Sequence, residues 1–401
     1  MDTNGESSRI LDDNKGKHAA MFLCWFLGTG SLLPWNSMLT IEDYYSKIFP
    51  NYHPTRMLTL VYSLCAFATI ALLAHYEAKL NTRLRVMAGY SIYFVSSCAI
   101  FILDMASGGK GGIGPFIGLC MISAAFALAD GHVQGGMIGD LSLMHPGLMQ
   151  SYLAGIPASG TITSALRLFT KAIFKNSKDG IRKGAILFSV LSSLFEFICV
   201  LIYTFVFPKL PIVKYYRSKA AIIEEDESTQ QASKHLDHSQ LLLQNIDYAF
   251  GIFLVYALTL SIFPGFLSED TQSHYLGSWY GLVLIALFNL TDFIGRYTPL
   301  IKQLEITSRK GLIVAIVSRF LFIPAFFFAT NYGGGANLIF LLTSLLGLTN
   351  GHLTVLVLTN APIGYEAPEQ NALGNLLSVC LSAGLFAGVM LDWLWLIGKG
   401  W

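Results

Sequence analysis

The segment Phe288-Asn289-Leu290-Thr291-Asp292-Phe293-Ile294-Gly295-Arg296 sets an acid and a base four residues apart inside an apolar run. At that spacing both side chains lie on one face of a helix and can interact. Asn289 stands one turn before Asp292 on the same side. Two readings are open. The ion pair can simply lower the cost of placing charge among apolar neighbours. Alternatively, the carboxylate accepts the hydroxyls of a ribose while the guanidinium donates to the same sugar or its ring oxygen. That pairing suits a neutral polyol better than an anion.

Asp130 and Gln134 repeat the four-residue spacing in another apolar run. The amide can pair with a base edge or with a neighbouring helix. Gly131, Gly135 and Gly139 have the small-xxx-small spacing that lets helices approach closely. Gly155, Ser159, Gly160, Thr163 and Ser164 form a small, polar face leading to Arg167, which close packing largely explains. Trp35, in Leu32-Leu33-Pro34-Trp35-Asn36, can anchor at a membrane interface or stack on a nucleobase. His132 and His352 read as core histidines rather than proton carriers. Arg319 also falls within an apolar run, with no partner legible.

The elements that position these residues follow from composition. Hydrophobic residues make up 53% of the chain and charged ones 13%, and the mean hydropathy is +0.54. Soluble domains carry about 25% charged residues, so lipid is the expected solvent. A crossing needs about 20 mainly apolar residues. Helices are predicted near 19–41, 57–76, 86–104, 115–139, 147–170, 184–207, 248–266, 278–299, 312–330, 336–358 and 372–397. Spans of this length must be helical, because lipid satisfies no backbone group. The ten-residue alternation of a β-barrel is missing. The fold class is thus an all-α polytopic membrane protein with 11 transmembrane helices.

The polar stretch 208–247 separates six helices from five. The organisation is a disordered cytoplasmic tail (1–18), a six-helix bundle (19–207), a cytoplasmic loop (208–247) and a five-helix bundle (248–401). Leu128-Ala129-Asp130-Gly131-His132 in the fourth helix of the first bundle is echoed by Leu348-Thr349-Asn350-Gly351-His352 in the fourth helix of the second. The first helices of the two bundles carry Pro34 and Pro264. Duplicated 6+5 bundles are the pseudo-symmetric arrangement of major-facilitator carriers, which hold substrate at the bilayer midplane between halves.

With a cytoplasmic N-terminus, inner segments hold 14 Lys/Arg and outer segments nine, in keeping with the positive-inside rule. The exception is the loop with Lys171, Lys175, Lys178, Arg182 and Lys183. A net charge of +1 offers nothing to a nucleic acid. The six cysteines lie in apolar runs with no CxxC spacing, so neither a disulfide framework nor a metal site is expected. No GxxxxGK[ST] loop, HExxH or GxSxG occurs. Neither an enzyme nor a cofactor is expected.

Leu33-Pro34-Trp35-Asn36, Gln134-Gly135-Gly136 and Phe288-Asn289 with Asp292 and Gly295-Arg296 resemble the equilibrative nucleoside transporter family. So does the layout of eleven helices with a long loop after the sixth. Asp140-Leu141-Ser142-Leu143-Met144-His145-Pro146 is similar to its plant branch. The likeness covers nearly the whole chain, with Phe-Asn-x-x-Asp-x-x-Gly-Arg its most specific part.

The resemblance implies purine and pyrimidine nucleoside carriage, adenosine and uridine included, by alternating access across the bilayer. It implies that Asp292 and Arg296 contact the ribose with Asn289 beside them, that Gln134 contacts the base and that Trp35 lines the cavity. It makes Arg85 a residue of the cytoplasmic gate. Asn371 occupies the place of the relatives' acidic gate partner, and Glu369, two residues earlier, takes that role here. Transport is facilitated diffusion or proton-coupled, with Asp130 the carboxyl considered for coupling and a proton the possible co-substrate. The expected location is the plasma membrane. The alternatives are a sugar or drug carrier on the same scaffold and, in another class, a receptor or scaffold signalling through the central loop.

Overall fold

A computed structural model describes residues 16–76, 81–142, 144–218, 238–267, 276–331, 335–365 and 367–397. Among them the secondary structure is helical throughout. The helices are α1 (Lys17–Thr40), α2 (Glu42–Ile48), α3 (Pro54–Tyr76), α4 (Thr82–Ser107), α5 (Ile113–Ser142), α6 (Pro146–Ile173) and α7 (Gly180–Leu201). They continue with α8 (His238–Gln244), α9 (Ile246–Leu260), α10 (Tyr280–Tyr297), α11 (Arg309–Ser318), α12 (Phe322–Asn331), α13 (Gly335–Asn360) and α14 (Ala367–Asp392). A 3-10 turn at Arg319–Leu321 joins α11 to α12, and α7 runs into a π-helical turn at Ile202–Val206.

Each predicted span falls on one of these helices, α11 and α12 sharing one. By length and composition, seven of the described helices are apolar enough to cross a membrane, taking α11–α12 as one. α1 and α6 are as long but more polar, and α10, at 18 residues, is shorter and also more polar. These three carry Trp35, the small polar face and Asp292, as expected of helices that turn one side to a shared interior rather than to lipid. The tail over 1–15 and the loop over 219–237, with Ser228, Thr229 and Ser233, lie outside the described residues. The flanks of that loop are helical, at 211–218 and in α8, where the sequence reading expected a loop throughout.

Packing follows a two-fold pattern. α1 packs on α6 as α9 packs on α14, and α3 packs on α5 as α10 packs on α13. Across the halves, α3 meets α14 and α6 meets α10. The buried apolar clusters respect the same division. One is built from residues between Ala20 and Val213, and the other two from residues between Leu241 and Leu377. The close approaches rest on glycine. A Cβ on Gly351 of α13 would lie 2.1 Å from the Asp292 carbonyl oxygen, and one on Gly295 of α10 would lie 2.3 Å from that of Leu348.

Polar contacts tie the halves together. The amide of Asn289 donates to the Gly160 carbonyl at 3.2 Å and the Ser164 hydroxyl at 3.0 Å, joining α10 to α6. Where α1 ends and α3 begins, Arg56 Nε donates to Asp392 Oδ2 at 2.9 Å, with the two side chains 0% and 4% exposed. The Lys171 ammonium lies 5.1 Å from the centre of the Trp279 ring.

Two of the five basic residues at 171–183, Lys171 and Arg182, have acidic partners in the same region. Arg167 and Lys171 both pair with Asp43 at 2.7 Å, and Arg182 pairs with Asp104 at 3.0 Å. A count of loop cations that ignores such partners overstates their free charge.

Removing one member of a buried ion pair leaves the other uncompensated, at a cost of about 3–5 kcal/mol. Arg56→Leu is therefore expected to lower the thermal unfolding temperature of the purified protein markedly. The charge-swapped double variant Arg56→Asp/Asp392→Arg should recover part of the loss. An unchanged transition in the single variant would contradict the pair's structural role.

Candidate substrate site

Asp292 is the hub of the second half. Arg296 Nε donates to its Oδ2 at 3.1 Å, the i, i+4 contact expected from the spacing. Asn350, one helix away on α13, donates to its Oδ1 at 2.7 Å. The side-chain Oδ1 of Asn350 accepts from the Thr259 hydroxyl of α9 at 2.7 Å. Arg319 Nη2 donates to that same hydroxyl oxygen at 2.8 Å.

Arg319 completes its shell with neutral acceptors, the Val255 carbonyl at 3.0 Å and the Thr349 hydroxyl at 3.1 Å. This is the partner set that the sequence could not supply: neutral acceptors from two helices, α9 and α13, distant in the chain. The Asp292 and Arg296 side chains are 11% and 22% exposed. Arg296 engages the acid through Nε, with the Tyr256 hydroxyl also against its guanidinium. The edge of the pair thus stays reachable.

In the first half, Asp130 of α5 takes the position that Asn350 holds in the repeat. The Tyr62 hydroxyl of α3 donates to Asp130 Oδ2 at 2.9 Å, and that of Tyr93 on α4 lies 3.1 Å from Oδ1. Gln134 Nε2 donates to Oδ1 as well. Because a carboxylate only accepts, it fixes the amide with Nε2 inward and turns Oε1 away. Trp35 stacks on Tyr62 at 3.9 Å between ring centres, with 15° between planes.

Phe263 stacks on Phe288 at the same 3.9 Å and 15° in the second half. Each half therefore joins its first and second helices by an aromatic stack and its fourth and second helices by a hydrogen bond. The acid sits on helix four in one half and on helix two in the other.

The predicted residues thus form two groups. Trp35, Asp130 and Gln134 come together through Tyr62, and Asp292 and Arg296 through their own contact. Asn289 faces α6 rather than Asp292, contrary to the same-side expectation, because Gly160 leaves room for its amide: a Cβ there would lie 2.9 Å from Asn289 Cγ.

Arg85 Nη2 donates to the Gly131 carbonyl at 2.9 Å. A Cβ on Gly135 would lie 2.1 Å from the same nitrogen, so this glycine makes space for an arginine as well as for a helix. Glu369 lies in the first turn of α14 and is half-buried. The side chain of Asn371 lies outside the described residues. His352 shares a 2.7 Å hydrogen bond with Thr298, as a satisfied core histidine does.

Tyr62, Tyr93, Thr259 and Asn350 were not singled out as site residues from the sequence. The paired motifs at 128–132 and 348–352 were the signal that could have found Asn350.

With this geometry in view, the comparisons decide the family. A family model described as nucleoside transporter matches residues 117–397. The chain belongs to the nucleoside transporter family. It is 56% identical to equilibrative nucleotide transporter 3 of Arabidopsis thaliana, over 96% of each chain. It is 53% identical to equilibrative nucleotide transporter 2 of that plant, over 98% of each.

Among solved structures, this nucleoside transporter family member resembles a D-xylose-proton symporter, with a TM-score of 0.62, 12% identity and coverage of 93% of this chain and 88% of that one. A POT family transporter in complex with 5-aminolevulinic acid gives a TM-score of 0.63 at 12% identity, covering 94% and 91%. At such identities the likeness concerns fold alone, and that fold is the major-facilitator one.

Asn350→Leu removes a donor from Asp292, a loss of about 1–3 kcal/mol when a buried acceptor is left unmade. Asn350→Asp sets a second carboxylate against the first and should cost more. Thermal unfolding near neutral pH is expected to rank the proteins wild type, Asn350→Leu, Asn350→Asp in falling stability; equal transitions would contradict the hub.

Proposed function

We propose that the protein is a carrier of nucleosides, adenosine and uridine among them, across the bilayer by alternating access. The observation that carries this is the Asp292–Arg296 pair held by Asn350, in a chain of the nucleoside transporter family. Two acids, Asp130 and Asp292, stand against two arginines, Arg296 and Arg319. Such a balanced set suits a neutral solute with hydroxyls and a base better than a phosphate ester.

In this reading the carboxylate of Asp292 accepts ribose hydroxyls while the Arg296 guanidinium donates to the same sugar, with Asn289 beside them holding α10 to α6. The Oε1 of Gln134 accepts from the base edge, and Trp35 backs the cavity. Residues 19–207 and 248–401 are the bundles that rock, with Arg85 and Glu369 gating the cytoplasmic side. The N-terminus is cytoplasmic and the membrane is the plasma membrane. A sugar or drug carrier, or a receptor acting through the central loop, draws no support from the relatives.

Uptake of labelled uridine and adenosine into proteoliposomes tests the reading. Wild type is expected to take up both, and Asp292→Asn to lower kcat/KM at least about ten-fold, the loss expected when a site built to bond a hydroxyl loses its acceptor. Arg296→Lys should also fall, since an ammonium lacks the planar fork. Undiminished uridine uptake by Asp292→Asn would remove the ribose contact, and glucose uptake in its place would overturn the substrate class.

A further inference from the structure

One acid in the membrane-spanning helices plays no part in the site above and was passed over in the sequence. Glu196 is the only charged residue between positions 184 and 207. Its side chain is 0% exposed, and neither carboxyl oxygen has a hydrogen-bond partner. Buried polar groups are nearly always paired, so an orphan calls for a reason, and an ionisable group inside a membrane span is expensive to keep.

Its surroundings are specific. α7 packs on α1, α4 and α6, and α1 presses so close that a Cβ on Gly30 would lie 2.4 Å from Cys199 Sγ, one turn beyond Glu196. The titratable groups whose fields reach it are Tyr90 and Tyr93 of α4 and Cys199 of α7. Both tyrosines spend their hydroxyl protons elsewhere. Tyr90 donates to the Leu27 carbonyl at 2.8 Å, and Tyr93 stands 2.5 Å from the Ser31 carbonyl and 3.1 Å from Asp130. The field of Tyr152 of α6 reaches Tyr90. The α6 cations Arg167 and Lys171 are committed to Asp43, with Arg167 beside Gly184, three turns back along α7. α1 contributes only backbone and neutral side chains here.

A bare carboxylate so placed would have no donor and no cation, whereas Asp130 has two donors, Tyr62 and Gln134, and a third hydroxyl, that of Tyr93, shared with the Ser31 carbonyl. The buried state therefore requires Glu196 to carry its proton. We propose that Glu196 is a proton-binding site that couples proton movement to nucleoside movement, and that this role belongs to it rather than to Asp130. The proposal rests on the nucleoside reading above.

The link to the substrate runs through Tyr93. When Glu196 releases its proton, the carboxylate needs donors, and Tyr93 is the residue that the fields of both Glu196 and Asp130 reach. Drawing the Tyr93 hydroxyl away loosens the carboxylate that orients Gln134. Towards the inner end, the Tyr90 ring lies 6.1 Å from that of Tyr203 in the π-helical turn. The Tyr203 hydroxyl reaches Asp140 at 3.4 Å, and Asp140 pairs with Arg217 at 2.5 Å.

The test uses the full chain in proteoliposomes. Uridine uptake driven by a proton gradient of about two pH units is compared with uridine exchange at symmetric pH, with a protonophore control. For wild type the ratio of the two rates should be several-fold above one and collapse with the protonophore. Glu196→Gln, a neutral isostere, should bring the ratio to about one, and Glu196→Asp should restore part of it. A wild-type ratio of one, or a ratio that survives in Glu196→Gln, overturns the proposal.

A second readout needs no transport. A carboxyl buried with neither donor nor cation is costly to ionise in place, so stability should fall as pH rises from about 5 to 8. That slope should be steeper in wild type than in Glu196→Gln; equal slopes overturn proton binding. Failure of wild type to exchange either nucleoside would count against the nucleoside reading, while the slopes would still judge Glu196.

Discussion

A charged side chain inside a membrane-spanning helix must find its partners within the protein, because lipid offers none. The interior of this transporter is organised around that demand. Asp292 sits on α10 and is satisfied from two directions, by Arg296 on its own helix and by Asn350 on α13. Asn350 in turn engages Thr259, and Thr259 engages Arg319. Three helices and the break between α11 and α12 are thereby set around one carboxylate. The glycines at 295 and 351 are the packing side of the same arrangement, since only their missing side chains let α10 and α13 come near enough for Asn350 to reach.

The two halves answer the demand differently. In the first half Asp130 is ringed by neutral donors and aims an amide; in the second Asp292 is joined to an arginine and stays partly open. A nucleoside has two unlike ends, a base with a patterned edge and a sugar with hydroxyls. In the proposed reading, duplicated bundles whose equivalent positions have diverged, Asp130 in one and Asn350 in the other, would provide an unlike partner for each end. Glu196 stands outside this symmetry, in the sixth helix, which the five-helix half lacks.

Much of this was legible in the chain. Helix positions follow from apolar runs, and each run was found. The Asp292–Arg296 contact follows from helical geometry alone, and it formed as the spacing required. What could not be read were contacts between distant segments. Arg319 bonds to residues up to 64 positions away, and no local pattern announces them. Asn289 went to α6 because Gly160 admits it, a matter of packing rather than of periodicity. The break at Arg319–Leu321 arises inside an apolar run that reads as one helix. Glu196 could have been noticed as a lone acid in an apolar span, but its lack of partners is a property only of the folded chain.

The central claim is that a neutral ribose is held by the Asp292–Arg296 pair. Equilibrium competition against labelled uridine on the purified protein, using uridine, 2′,3′-dideoxyuridine and uridine monophosphate, tests it most directly. The account predicts that dideoxyuridine competes at least about ten-fold more weakly than uridine, because the pair is left without its hydroxyls, and that the monophosphate is weaker than uridine. Equal competition by dideoxyuridine, or stronger competition by the monophosphate, would contradict it.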